Sequence, residues 1–182
     1  ISTEVTFVKN SINIDTLKQQ CQETISGREF YSTFQSMGYN WGNSFQWLET
    51  IWRGDREAVC QMKLPQLPEA VENYQLYPGL IDSCLQLLNC WELDKSQQDY
   101  MYVPFNIAQL KFYHRPNSHD QLWCHAQKQE SDDNSLVGNI SLYDESGDLI
   151  AEIIGFEARK ARRDNVLQST TKDLSDWLYE IA

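Results

Sequence analysis

The sequence predicts an α+β fold in which an antiparallel sheet wraps around one long buried helix. Residues 79–93 have the strongest helical pattern of the chain. Apolar segments of strand length lie on both sides of it and are separated by turn residues. The 182 residues, 41% hydrophobic and 12% aromatic, are enough for one domain with a real core.

Two helices are predicted before the first strands, over residues 14–23 and 28–37. In the second helix, Phe30, Phe34 and Met37 recur at the spacing of a buried helical face. We therefore expect this helix to bury that face and to end at Gly38.

A β-hairpin is predicted next. An apolar run over residues 45–52, a turn over 53–56 and a second run over 58–64 are typical of two paired strands. Residues 65–75 are polar and contain prolines, which indicates a connecting segment. This segment leads directly into the predicted buried helix.

The predicted helix over residues 79–93 is apolar on nearly every side, which is typical of a buried helix. Its main apolar stripe consists of Ile81, Cys84, Leu85, Leu88 and Trp91. Asp82 and Gln86 are four residues apart, so they lie together on another face.

Four further strands are predicted after this helix. They cover residues 102–113, 121–129, 136–143 and 149–158. Turn-forming residues 144–148 indicate a tight hairpin loop between the last two. One buried helix surrounded by antiparallel strands is the arrangement called the hotdog fold. Residues 159–171 are charged or polar and indicate a linker, so we expect a hotdog domain over residues 1–163 and a linker with a short helix toward a following domain over 164–182.

Composition excludes several functions. The net charge of -11 argues against binding to nucleic acid or to an anionic membrane surface. No apolar run reaches the roughly 20 residues that span a bilayer, and no signal peptide is recognisable. The five cysteines contain no C-x-x-C pair, so no metal site is predicted, and Cys84, Cys90 and Cys124 are expected in the core. These features favour a cytoplasmic protein, and a first residue other than Met favours a piece of a longer one.

Two stretches carry a resemblance to a known family. Tyr77–Ser83, with Gln86 shortly after it, is similar to the motif His-Pro-Ala-Leu-Leu-Asp-Ala followed by Gln or His. Gly38–Phe45 is similar to the motif Gly-x-x-Tyr-Gly-Pro-x-Phe. Shorter similar stretches follow in the family's order at residues 52–55, 103–105, 142–147 and 176–180. From about residue 10 to 182, the chain resembles the C-terminal half of the dehydratase domain of modular polyketide synthases, which is a double hotdog.

This resemblance implies a dehydratase-type lyase that acts on a β-hydroxyacyl thioester. In that family a histidine removes the α-proton and an aspartate protonates the departing hydroxyl group. Asp82 matches the acid, and Gln86, Trp41, Tyr77 and Phe45 match substrate-binding positions. The implied substrate is carried on the phosphopantetheine arm of an acyl carrier protein, and no other cofactor is implied. Further implied partners are the N-terminal hotdog half, the ketoreductase region and, because hotdogs join their sheets side by side, a second copy of the chain.

The resemblance does not include the catalytic base, the histidine that removes the α-proton. The family's histidine lies in a His-x-x-x-Gly-x-x-x-x-Pro motif, and none of the three histidines of this chain, His114, His119 and His125, has glycine four residues later. We therefore expect the isolated chain not to dehydrate its substrate. His125 is expected to be structural, in a strand beside Cys124.

Three substitutions leave alternatives open. Tyr77 replaces the motif histidine, Trp41 replaces a channel tyrosine, and Asn43 replaces a proline. They are compatible with an altered substrate, with a different reaction such as a double-bond shift or oxa-cyclisation, or with a decayed site. The alternatives for the domain as a whole are a degenerate dehydratase-like module kept for structure or docking and an acyl-thioester-binding hotdog. Asp82 itself has a simpler reading, because an aspartate in the first helical turn complements the helix dipole.

Overall fold

The computed structural model describes residues 11–66, 71–95, 99–117 and 120–166. Within them lie the α-helices α1 (Ile14–Gln19), α2 (Gly27–Ser36) and α3 (Pro78–Gln86), and residues 163–166 are helical as well. Seven strands are β1 (Glu23–Ser26), β2 (Leu48–Arg53), β3 (Glu57–Met62), β4 (Tyr100–Phe112), β5 (Leu122–Lys128), β6 (Ser135–Tyr143) and β7 (Leu149–Arg162). Short 3₁₀ helices cover Asn43–Phe45, Val71–Asn73 and Leu87–Glu92.

The seven strands form one antiparallel sheet in the order β1-β2-β3-β5-β6-β7-β4. The helix α3 and the 3₁₀ helix after it pack against this sheet, and both supply residues to its core. The predicted α+β hotdog architecture is therefore confirmed. Strand β4 lies at one end of the sheet order, and among the described strands it pairs only with β7.

The buried helix is shorter in its α-helical part than the sequence predicts. It begins at Pro78, whose fixed φ suits the first helical position. The α-helix ends at Gln86, and a 3₁₀ helix over Leu87–Glu92 continues in its direction. Leu87 and Leu88 are fully buried in this second part. The predicted single helix over residues 79–93 is thus two consecutive helical segments.

The N-terminal region contains a strand that the sequence analysis missed. Helix α1 ends at Gln19, and β1 follows with Ile25 opposite Ile51 of β2. The Ser26 hydroxyl group then caps α2 by accepting from the Glu29 backbone N–H at 3.1 Å. Strand β1 escaped prediction because only one of its four side chains is buried. As predicted, the phenylalanines of α2 are buried in the core.

The prediction that the linker begins at residue 159 is wrong for residues 159–162, because β7 extends to Arg162 and pairs with β4. Two of its basic side chains lie against aromatic rings of β4. The Arg159 guanidinium lies 3.4 Å from the Phe105 ring centroid, and Lys160 Nζ lies 4.2 Å from that of Tyr100. The predicted C-terminal helix toward a following domain lies outside the described residues.

Four of the five cysteines are buried core residues with free thiols: Cys60, Cys84, Cys90 and Cys124. Three of them were predicted there. Within the described residues, no group of three or more His, Cys, Asp or Glu side chains could hold a metal ion. The same part of the chain contains no helix long and apolar enough to cross a membrane.

Candidate active site

Asp82 lies in the middle of α3, beyond its first turn, so a helix-dipole role does not account for it. Its carboxyl group is partly buried, and Oδ2 accepts a hydrogen bond from Gln86 Nε2 at 2.7 Å. Burial raises the pKa of Asp82 above its ordinary value, while the Gln86 hydrogen bond partly opposes this. A carboxyl group with a raised pKa is suited to donating a proton near neutral pH.

Gln86 is only 3% exposed and bridges the acid to a neighbouring segment. Besides Asp82, its Nε2 donates to the backbone carbonyl oxygen of Phe45 at 3.0 Å. Its Oε1 is buried and has no hydrogen-bond partner within the described residues. The predicted pairing of Asp82 with Gln86 on one helical face is present.

The segment of residues 43–47 crosses α3 at close range, and two small helical residues allow this. The Ser83 hydroxyl donates to the Phe45 carbonyl at 2.8 Å and accepts from the Trp47 backbone N–H at 3.3 Å. A Cβ atom at Gly79 would lie 2.0 Å from the Ser44 carbonyl oxygen. Sequence reasoning missed Ser83 and Gly79. Two small residues four positions apart, on a helix whose other side chains are mostly large, are the signal that could have predicted this close approach.

Phe45 was predicted as a substrate-binding residue, and the structure brings its backbone, rather than its ring, to Gln86. Phe45 is 38% exposed, so its ring is not held in the core.

Trp41 belongs to an aromatic cluster on α2. Its ring stacks on Tyr39 with centroids 4.9 Å apart and packs against Phe30 and Phe34. It also lines a cavity of about 400 Å³ together with Gln46. The described contacts join Trp41 neither to Asp82 nor to Gln86, so this predicted substrate residue lies at a separate cavity.

Tyr77 precedes the first residue of α3 and is 8% exposed. Its ring packs against Trp47 and Tyr74, with centroids 6.0 Å and 5.1 Å apart. It lines a different cavity, of about 510 Å³, with Leu80. Asp82 is not among the residues that line it, so the structure does not place Tyr77 beside the candidate acid.

The two described histidines both lie beside other acids. His125 is buried in β5, and its Nε2 lies 2.9 Å from Oε2 of Glu57, as expected for a structural residue. His114 Nε2 lies 3.7 Å from Oδ2 of Asp144. His119 lies outside the described residues. In the described part of the chain, no histidine contacts Asp82.

Comparisons with known proteins show the family to which this chain belongs. The family described as "Polyketide synthase dehydratase N-terminal domain" matches residues 13–168. The polyketide synthase PksN of Bacillus subtilis (strain 168) is 23% identical over 175 residues, which are 93% of this chain and 3% of that protein.

Two solved dehydratases share the fold of this chain. The CurJ dehydratase, solved as an inactive histidine-to-phenylalanine mutant in complex with a compound, is 33% identical with a TM-score of 0.80. The match covers 87% of this chain and 56% of that one. The CurK dehydratase, solved as an inactive aspartate-to-asparagine mutant, is 30% identical with a TM-score of 0.70, over 83% of this chain and 53% of that one. The chain thus spans about half of each solved dehydratase. With the family match over most of its length, the chain belongs to the polyketide synthase dehydratase family.

Proposed function

We propose that this chain is the aspartate-bearing, C-terminal half of a dehydratase domain, and that Asp82 is the general acid in the removal of water from β-hydroxyacyl thioesters. The observation that carries the proposal is the partly buried Asp82 carboxyl group, with its raised pKa and its hydrogen bond from Gln86. Hydroxide is a poor leaving group, so the reaction needs an acid that is still protonated near neutral pH. The inactive aspartate-to-asparagine mutant of the CurK dehydratase supports an aspartate in this role.

The base of the reaction comes from another hotdog half. A dehydration needs a group that removes the α-proton, and neither described histidine is placed to act with Asp82. The CurJ dehydratase is inactive as a histidine-to-phenylalanine mutant. The chain matches only 56% of that dehydratase, so the remainder is large enough for a second hotdog carrying the histidine.

Strand β4 is the surface on which this second half docks. Residues 104–110 are exposed on both faces of the strand, although β4 pairs with β7 along one edge. Phe105 is 58% exposed and Leu110 50%, and Ile107 and Phe112 are also exposed. An unpaired strand edge with exposed apolar side chains promotes aggregation unless a partner covers it.

The dehydratase role also implies two other kinds of partner, a carrier protein and further synthase domains. The substrate arrives on the phosphopantetheine arm of an acyl carrier protein, and the chain lies among neighbouring synthase domains. The chain is 3% of the length of PksN, which supports a setting in a much longer multidomain protein.

Mass spectrometry of a β-hydroxyacyl pantetheine thioester tests the proposal. We expect no loss of water with the chain alone, and enzyme-dependent loss of water when it is joined to a histidine-bearing hotdog half from a related dehydratase. Asp82→Asn in the joined protein should abolish the reaction. Asp15→Asn, a matched change of an exposed carboxylate on α1, should leave it intact.

Three results would count against this assignment. Water loss that survives Asp82→Asn would remove Asp82 as the acid. Water loss by the chain alone would show that no second half is needed. A folded joined protein without any activity would favour the degenerate, structural role instead.

A further inference from the structure

The Phe45 carbonyl oxygen lies at the centre of a buried hydrogen-bond network. It accepts from the Ser83 hydroxyl at 2.8 Å and from Gln86 Nε2 at 3.0 Å. Ser83 is fully buried, and its oxygen accepts from the Trp47 backbone N–H. A serine hydroxyl has a single hydrogen, so that hydrogen is committed to Phe45. The carbonyl oxygen, with two lone pairs, is fully used by its two donors.

This network permits only one orientation of the Gln86 amide group. Nε2 has two hydrogens, and they point to the Phe45 carbonyl and to Oδ2 of Asp82. In the flipped amide, Oε1 would face the Phe45 carbonyl oxygen, which can only accept, so the hydrogen bond between Gln86 and Phe45 would be lost. The fixed orientation leaves Oε1 buried and unpartnered within the described residues, as observed. Gln86 can therefore donate to Asp82 but cannot accept from it.

The fixed amide decides which oxygen of Asp82 carries the proton. Because the group facing Oδ2 is always an N–H donor, Oδ2 must act as an acceptor whether Asp82 is ionised or neutral. The proton of the neutral acid is thereby directed to Oδ1. No hydrogen bond to Oδ1 occurs within the described residues, so this oxygen is free to face a substrate.

We infer that Ser83 is a positioning residue, whose hydroxyl group holds the Phe45 carbonyl and so keeps Gln86 oriented to place the acidic proton of Asp82 on Oδ1. This inference rests on the proposed acid role of Asp82 and adds a residue to it. Ser83 touches neither Asp82 nor a reacting atom in the described contacts, and acts only through Phe45 and Gln86. The motif quoted above has alanine at this position, so the motif does not imply the hydrogen bonds of Ser83.

The side-chain amide hydrogens of Gln86 report directly on this network. Nuclear magnetic resonance of the ¹⁵N-labelled chain would follow their exchange with water and their shifts while Asp82 titrates. In the unmodified chain both hydrogens should exchange slowly, and the hydrogen that faces Asp82 should shift most. In Ser83→Ala we expect exchange about tenfold faster, which corresponds to about 1.4 kcal/mol. The two hydrogens should also lose their distinct responses to the titration.

Two further variants make the test specific. Ser36→Ala removes an exposed serine hydroxyl that donates to the Thr33 carbonyl on α2, and it should leave Gln86 unchanged. Ser83→Cys keeps a similar volume with a weaker donor, so it should give intermediate exchange. It also provides the comparison if the alanine variant does not fold.

The inference is overturned if Ser83→Ala shifts the Trp47 amide signal but leaves the exchange and titration response of Gln86 unchanged. Ser83 would then only support the backbone. Unmodified Gln86 behaviour in a folded Ser83→Cys variant would overturn it as well. Neither readout needs a substrate, so a failure here is distinguishable from loss of the acid role, which is measured by dehydration.

Discussion

The close crossing of residues 43–47 over α3 makes Gly79→Ala an informative substitution. In an ordinary helix interior this change stabilises by about 1 kcal/mol, because alanine has the higher helix propensity. Here the new Cβ atom would lie 2.0 Å from the Ser44 carbonyl oxygen and 3.0 Å from its carbonyl carbon. These are backbone atoms, so the clash cannot be relieved by a side-chain rotation.

The size of the effect follows from the two ways of relieving this clash. If the segment stays in place, overpacking costs about 1–3 kcal/mol. If it retreats by about 1 Å, the 2.8 Å bond from Ser83 and the 3.0 Å bond from Gln86 exceed hydrogen-bond length. Those bonds contribute about 1 kcal/mol each. Two lost hydrogen bonds, or overpacking in the middle of its range, cost about 2 kcal/mol, which exceeds the gain of about 1 kcal/mol in helix propensity. We therefore expect a net destabilisation of about 1 kcal/mol.

Urea unfolding with linear extrapolation measures this difference in the free energy of unfolding. Gly42→Ala is the matched control, because a Cβ atom there would meet no atom within 4 Å. It should change the free energy by no more than about 0.5 kcal/mol. If Gly79→Ala were as stable as the unmodified chain or more stable, the close contact between this segment and α3 would be refuted.

Three further predictions concern the acid, the open edge and the thiols. Because burial raises the pKa of Asp82, ionisation of that carboxyl group disfavours the folded state as pH rises through the raised pKa. We therefore compare the free energy of unfolding in urea of Asp82→Asn with that of the unmodified chain. The difference in favour of the variant should be larger at about pH 7 than at about pH 3, and an equal difference at both pH values would contradict this. Leu110→Lys should leave the free energy of unfolding within about 0.5 kcal/mol but abolish association with a second hotdog half in analytical ultracentrifugation, and unchanged association would exclude β4 as the docking edge. Iodoacetamide should modify at most Cys21 in the folded chain and all five cysteines in urea, since the other four are buried, and mass spectrometry counts the labels.

The sequence predicts the strands whose signal is local. The loop between β6 and β7 was predicted from turn-forming residues, and Gly147 adopts the positive φ of 79° that such a turn requires. The end of β7 was missed because Arg159 and Lys160 look like solvated charges in isolation. Their partners are aromatic rings of β4, which lie more than fifty residues away in the sequence. No local pattern contains that information.

In the candidate site, too, the contacts between residues close in sequence were predictable and the contacts between distant residues were not. An α-helix turns by about 100° per residue, so Gln86 lies about 40° from Asp82 around the helix axis, and their pairing was predictable. Tyr77, by contrast, precedes the first residue of α3 and has an extended backbone, so the helical repeat does not place its side chain relative to Asp82. Its ring packs against Trp47, thirty residues earlier in the sequence, and no local pattern predicts that contact.

The role of the Phe45 backbone carbonyl could not be predicted from the sequence. A backbone carbonyl is present at every residue, so nothing in the chain marks the one that accepts from both Ser83 and Gln86. Only the close approach allowed by Gly79 brings it there. If that approach sets the orientation of Gln86, a substitution at Gly79 should speed exchange of the Gln86 side-chain amide as Ser83→Ala does. The acid Asp82 would then depend on two small residues whose side chains never touch it.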